Sequence, residues 1–292
     1  MSRFTIYLFL SAVVLLLVGC NPPTSEPQAA ATNSAPEEAA TTINEVSYTA
    51  VEYSFTGPES IPAGWTRLTL DNQGELSHDL MPVRIEEGKT IDDVMAALEA
   101  EGPPEWATLY GQVTAEPGQS ASYLVDLAPG NYVILSFGGS EDGPPDAAQG
   151  MINTLTVTEA ENQVSEADLP QADVAIDLVD YSFVVNGDIG TGEQLLHVRN
   201  TGTEMHEVIA FRLKEGTSFA DFQAMLASDE EPEGEPPFVD VGGTLLSPGV
   251  STYLTLDFAE PGNYVLVCFM PSPEHEGMPH YELGMVQEIT VP

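Results

Sequence analysis

The chain has 292 residues, enough for about two domains of ordinary size, and its 42% hydrophobic content with 10 Tyr, 11 Phe and 2 Trp is that of a folded protein. Its 46 acidic residues against 7 basic ones give a net charge of −39, which repels nucleic acid and anionic lipid headgroups alike. Two readings of that charge remain: a cationic partner whose encounter it speeds, or a salty environment that screens it. Lysine occurs only as Lys89 and Lys214, which favours the second.

The chain opens on Ser2-Arg3 and a nearly unbroken apolar run from Ile6 to Val18, followed by Gly19-Cys20. A short positive start before a run of this length predicts an export signal over residues 1–19. The run is too short for a transmembrane helix, which needs about 20 apolar residues. Leu17-Val18-Gly19-Cys20 resembles a bacterial lipobox. That resemblance implies cleavage before Cys20 and acylation of its thiol and new amine, hence an exported protein held to a membrane of the cell envelope by lipid. Residues 20–44, rich in Pro, Ala, Thr, Ser and Glu and without aromatics, read as a disordered tether. With Cys20 lipidated, Cys268 has no disulfide partner, and a lone thiol in an exported protein needs burial or a metal to escape oxidation.

Residues 45–158 and 173–292 repeat one unit, joined by a polar, acidic linker over 159–172. Val51-Glu52-Tyr53-Ser54-Phe55 matches Val179-Asp180-Tyr181-Ser182-Phe183, and Asp71-Asn72-Gln73-Gly74 matches Arg199-Asn200-Thr201-Gly202. His78 matches His206, Pro129-Gly130-Asn131-Tyr132-Val133 matches Pro261-Gly262-Asn263-Tyr264-Val265, and Gly150-Met151 matches Gly284-Met285. Within each unit β-branched and aromatic residues alternate, as Tyr264, Leu266 and Cys268 do against Val265, Val267 and Phe269, and Pro-Gly and Asn-x-Gly pairs mark turns. One helix per unit is expected. Thr90 and Asp93 resemble a capping box before Ile91, Val94, Ala97 and Leu98, and Ser218 and Asp221 stand in the same way before Phe219, Phe222 and Leu226. Each unit is therefore expected to hold seven or eight short strands and one inserted helix: an all-β chain of two tandem Greek-key β-sandwich domains.

The chemistry concentrates in the second unit. Cys268 ends a strand, a long loop follows, and His280 and Met285 precede the last strand. With His206 from an upstream loop, these give two imidazoles, a thiolate and a thioether, the soft donor set of a blue copper site with a weak axial Met. The stretch Pro279-His280-Tyr281-Glu282-Leu283-Gly284-Met285-Val286 resembles the end of the plastocyanin copper loop, and Asn200-Thr201-Gly202 before His206 resembles the loop of the first histidine. The chain is on these grounds similar to the cupredoxins over residues 45–292. The resemblance implies a Greek-key cupredoxin-like sandwich with one copper per chain, in the second unit. His206, Cys268 and His280 would be equatorial ligands and Met285 the axial one.

Eleven residues separate Cys268 from His280, where simple electron carriers of the family have few, and Glu207 stands where the family often has Asn. His275 is a rival ligand within the same loop. The first unit offers His78, Ser136, Asp146 and Met151 at the corresponding positions, so it is expected to keep the fold and not the metal. His197, lying in a strand, reads as a surface residue. Multicopper oxidases and nitrite reductases hold further copper with several more histidines, and this chain has five in all, so an enzyme is not expected. The expectation is an envelope-anchored copper protein carrying single electrons, for which a cationic redox partner would fit. The alternative is a copper-free binding or structural module.

Overall fold

The computed structural model describes residues 42–97, 104–138, 143–160, 164–228 and 234–292. The export signal (1–19), Cys20, nearly all of the 20–44 tether, Leu98 and residues 161–163 of the linker lie outside the described residues. The described residues belong to one compact unit.

The first repeat runs β1 (Asn44–Val51), β2 (Ser54–Thr56), β3 (Ser60–Pro62), β4 (Gly64–Asn72), β5 (His78–Ile85), α1 (Ile91–Ala97), β6 (Ala107–Leu109), β7 (Val113–Ala115), β8 (Ser120–Leu127), β9 (Gly130–Leu135) and β10 (Ile152–Thr158). The second runs β11 (Val174–Val179), β12 (Ser182–Asn186), β13 (Gly192–Asn200), β14 (His206–Leu213), α2 (Phe219–Leu226), β15 (Phe238–Leu246), β16 (Ser251–Phe258), β17 (Gly262–Val267) and β18 (Val286–Val291). The all-β expectation holds, with two β-sandwich repeats. Among the described residues the second repeat has eight strands, within the seven or eight expected, and the first has ten. The stretch equivalent to β15 breaks in the first repeat into β6 and β7 around Gly111, whose φ of 85° is a glycine conformation, and β3 adds a short parallel pairing to β10.

One face of both sandwiches is a single sheet, ordered β12-β11-β13-β16-β8-β4-β1-β2. The two repeats join in it where Thr252, Tyr253 and Leu254 pair antiparallel with Val125, Leu124 and Tyr123. The opposing sheets are separate: β3-β10-β9-β5-β6 in the first repeat, with β7 also on β5, and β15-β14-β17-β18 in the second. Each repeat thus offers the same order, β2-β1-β4-β8 and β12-β11-β13-β16, to the shared sheet.

The alternation read along β17 sorts its side chains into two cores. Tyr264, Leu266 and Cys268 face the main core between the sheets, while Val265 and Val267 pack with Phe211 and Phe222 beneath α2. Strand β9 does the same, with Tyr132 and Ile134 in the main core and Val133 and Leu135 in a second cluster with Val94 of α1. Because both faces of these strands are covered, their ends are held firmly, and Cys268 is the first residue past such an end. Both helices start as expected: Ser218 and Asp221 form a full capping box, and Asp93 accepts the Thr90 N–H at 2.9 Å. The Pro-Gly-Asn-Tyr repeats are corners in which the tyrosine hydroxyl donates four residues back, Tyr132 to Ala128 O at 2.7 Å and Tyr264 to Glu260 O at 2.6 Å.

Candidate metal centre

At one end of the second sandwich the chain turns from β11 to β12 through Tyr181, from β13 to β14 through residues 201–205, and from β17 to β18 through the long loop after Cys268. The turn after β13 is built on Asn200, a buried side chain. Its amide donates to Glu204 O and Leu246 O, both at 2.8 Å, and its Oδ1 accepts the Gly202 N–H at 3.0 Å. His206, the first residue of β14, is thereby delivered buried to the sandwich end. Asn72 makes the same turn before His78, donating to Leu76 O and Ala115 O at 2.7 and 2.8 Å.

The eleven-residue excursion after Cys268 closes on itself. Met270 O accepts the His280 N–H at 2.8 Å, Cys268 O accepts the Tyr281 N–H at 3.0 Å, and Pro271 bridges to Pro279. Beyond that pinned base lies a short 3-10 turn, Pro273–His275, followed by Glu276 and Gly277, both at positive φ. Loop length therefore does not separate the ends: His280 returns beside Cys268. Met285 follows, buried, its N–H donating to His280 O at 2.9 Å and its carbonyl accepting the Cys268 N–H at 3.1 Å.

The structure brings together His206, Cys268 and His280, all fully buried, with one donor atom of each within 4.8 Å of the others. The two Nδ1 atoms face each other at 2.9 Å, and Cys268 Sγ lies 3.3 Å from His280 Nδ1. The far nitrogens are taken: His206 Nε2 is 2.9 Å from Asp180 Oδ1, and His280 Nε2 is 2.8 Å from Glu204 Oε2. An ionised carboxylate only accepts, so each ring carries its proton on Nε2 and turns an Nδ1 lone pair inward. Two imidazole lone pairs and a sulfur face one small space, with only the weak S–H of the metal-free thiol to donate among them. A soft cation supplies what that arrangement lacks, so the residues fit a copper ion.

The electrostatics agree. Burial works against ionisation of Asp180, but the hydrogen bonds from His206 and from the Thr203 backbone and hydroxyl outweigh it and hold its carboxyl at about 2. Burial likewise opposes ionisation of Glu204, and donation from His280, Ser272 and Tyr181 overcomes it and lowers its pKa. Burial pushes the His280 ring down, keeping it neutral and able to ligate. Burial pushes the metal-free Cys268 thiol up to about 12, against the Glu207 N–H that points at its sulfur from 3.4 Å. Glu207 also takes the Phe269 N–H on its carboxylate at 2.7 Å, tying the two ligand strands together.

His275 is not part of this cluster. It is exposed on the excursion, with Nδ1 3.1 Å from the Tyr181 hydroxyl and 3.0 Å from Ser272 Oγ, so as a rival ligand it gives way to His280. His197 is not a plain surface residue either: half-buried, it stacks on Tyr253 with ring centroids 4.1 Å apart.

In the first repeat His78, Ser136, Asp146 and Met151 are also gathered and fully buried. Asp146 replaces the second imidazole and bonds His78 Nδ1 directly at 2.7 Å, and it accepts from Ser136 Oγ at 3.0 Å. The Asp79 N–H points at Ser136 Oγ from 3.0 Å, as the Glu207 N–H points at Cys268. The thiolate and the second ring nitrogen are gone, and a hydrogen-bonded group occupies the space that faces three donors in the second repeat.

Sequence reasoning missed Asp180 and Glu204. The repeat carried a signal for the second: Leu76 occupies the place of Glu204 in the copy where Asp146 occupies the place of His280.

No family model and no curated protein matches the chain. Among solved structures, a dithionite-reduced auracyanin from the photosynthetic bacterium Roseiflexus castenholzii is 22% identical over 40% of this chain and 98% of its own, with a TM-score of 0.30. Auracyanin B is 23% identical over 39% of this chain and 88% of its own, with a TM-score of 0.29. A copper nitrite reductase from Nitrosomonas europaea is 16% identical over 86% of this chain and 94% of its own, with a TM-score of 0.25. At these TM-scores the likenesses carry no argument, and the function is read from the residues themselves.

Proposed function

We propose that the protein is a cupredoxin-like electron carrier, anchored at the cell envelope through lipid on Cys20, with one type 1 copper in its second repeat. The observation that carries this reading is the convergence of two inward-facing imidazole nitrogens and a buried sulfur at 2.9 and 3.3 Å. His206, Cys268 and His280 would hold the ion, and the buried Met285 thioether would be the further, weaker donor. Bound there, copper supplies a one-electron couple. The chain supplies the rest. Strands covered on both faces fix where the ligands start, the pinned loop base fixes His280 against Cys268, and burial keeps water from the donors. A site so fixed changes little between oxidation states, which suits carriage of an electron better than turnover of a substrate. The acidic surface suits a cationic redox partner.

Copper titration of the purified chain tests the reading. One copper per chain should bind and give a strong visible thiolate-to-copper band. Cys268→Ser should abolish that band, His280→Ala should weaken or reshape it, and His275→Ala should leave it. Met285→Leu should keep colour and raise the potential. A colourless protein that binds copper weakly or not at all overturns the reading, and a copper-free binding module then replaces it. For the anchor, Cys20→Ala should leave the protein unprocessed or misplaced; normal processing and fractionation would refute lipidation.

A further inference from the structure

We propose that Asp180 and Glu204 are the positioning residues of this centre: each holds the outer nitrogen of one ligating imidazole, and together they place two negative charges behind the ligands that favour the oxidised ion. This rests on the copper reading above. Neither carboxylate touches the ion; both act through the rings.

Three observations support it. First, the pairing is complete: both ligating rings, and not one, meet a carboxylate at Nε2, at 2.9 and 2.8 Å. A ring so held cannot present Nε2 to the metal and is locked in the tautomer that presents Nδ1.

Second, each carboxylate is itself oriented. Asp180 Oδ1 accepts the Thr203 N–H at 2.8 Å, and its Oδ2 accepts the Thr203 hydroxyl at 2.9 Å. Glu204 turns Oε2 to His280 and uses Oε1 to accept the hydroxyls of Tyr181 and Ser272, each at 3.0 Å. Tyr181 sits in the turn at a φ of 62°, which a non-glycine residue rarely adopts, and its ring stands edge-on to His280 at 5.2 Å.

Third, the repeat is an internal comparison. Asn72 and Asn200 hold the carbonyls of Leu76 and Glu204 in the same way, so these two positions correspond. Glu52 stands where Asp180 does, behind the histidine both copies keep. Glu204 has only a leucine opposite it, in the copy that has lost the second imidazole. The carboxylate goes with the ring it serves.

The charge effect has a fixed sign. Copper(II) carries one more positive charge than copper(I), so a nearby carboxylate stabilises it more. Removing that charge must weaken copper(II) more than copper(I) and raise the potential.

The test uses the full chain and the variants Glu204→Gln, Asp180→Asn and Asp180→Glu. Glu204→Gln and Asp180→Asn should each lower copper(II) affinity about 10-fold or more, with a smaller loss for copper(I). Each tenfold difference between the two ions raises the potential by about 59 mV. Asp180→Glu keeps the charge, as Glu52 does in the first repeat, and should restore the wild-type potential. Unchanged potentials in both amide variants, with a blue wild type, would overturn the proposal and leave the copper reading standing. A second readout needs no copper: nitrogen-15 spectra of the metal-free chain at mildly alkaline pH should show His206 and His280 protonated at Nε2. Should the wild type prove colourless, the copper reading falls and this readout alone decides whether the carboxylates position the rings; a proton on Nδ1 of either ring overturns that claim.

Discussion

Gly202 gives the most direct handle on the centre. A methyl group added there would press within contact distance on Asp180 Oδ1 and come 2.8 Å from His206 Nε2, where ordinary contact begins at 3.4 Å. Those two atoms are bonded to each other at 2.9 Å, so they cannot both retreat and stay paired. The backbone of Gly202 is not in the left-handed region, so alanine adds no strain in φ; besides the pair it would press on the Asp180 backbone N, 3.1 Å away. Losing one hydrogen bond to a charged group costs about 1.5–3 kcal/mol. Carried through the ring to the metal, that is a loss of about 10- to 100-fold in copper affinity for Gly202→Ala. The first repeat provides the control. A methyl at Gly74 would press on the Glu52 carboxylate, with Cδ 3.0 Å away, but no thiolate or second imidazole stands there. Gly74→Ala should therefore cost stability and leave copper affinity within about twofold of wild type. Competition titration against a chelator, followed at the visible band, measures both. Unchanged affinity in Gly202→Ala, or an equal loss in Gly74→Ala, would refute the reasoning.

Three further outcomes are expected. In acid, the Asp180 carboxyl is held at about 2 against an ordinary 3.8, so its contribution to stability is present above pH 3.8 and is lost as pH falls through about 2; denaturant midpoints of the metal-free chain should fall over that window more in wild type than in Asp180→Asn, and parallel curves would refute it. Phe222 is fully buried between the rings of Phe211 and Phe238, so Phe222→Ala should cost about 3–5 kcal/mol in denaturant unfolding; a cost near zero would show that α2 is not fastened there. A net charge of −39 should make thermal stability rise from dilute buffer to molar salt as self-repulsion is screened, and a flat response would point instead to a surface shaped by a cationic partner.

Much of this was legible in the sequence because the chain states it twice. A Pro-Gly-Asn-Tyr corner or an Asn-x-Gly turn seen once is a hint; seen twice at corresponding positions it fixes the strand register, and Cys268 then falls at a strand end. What stayed hidden depends on contacts between distant residues. Asp180 and Glu204 are 2 of 46 acidic residues, and nothing in their immediate neighbours marks them as facing a ring. His280 was expected with Cys268, but the closure of the loop between them, with Pro271 paired to Pro279 and positive φ at Glu276, is not announced by composition. The shared sheet was invisible for a different reason. Tyr123, Leu124 and Val125 of β8 are three consecutive apolar residues, all buried, but a short apolar run does not name its partner, and their pairing with β16 lies between distant residues. Within the second repeat, the pairing of β13 with β16 sets Tyr253 beside His197, whose ring it stacks on, which is why an apparent surface histidine is half-buried.

The comparison of the two repeats also bears on why one could lose its ligands and remain folded. In the first, Asp146 and Ser136 close the space with two hydrogen bonds, at 2.7 and 3.0 Å. The closure is incomplete, for His78 Nε2 and Asp146 Oδ1 are buried without a hydrogen-bond partner among the described residues, and Glu52 lies 3.6 Å from the former, too far to serve. Each such atom costs about 1–3 kcal/mol. Against that stand a core shared by both faces of β9, the Tyr132 corner and the Asn72 turn. The scaffold that aims the ligands is thus held together by parts other than the ligands. A repeat built in this way can stay folded without the His-Cys-His donor set while its sheet goes on pairing with its neighbour through β8.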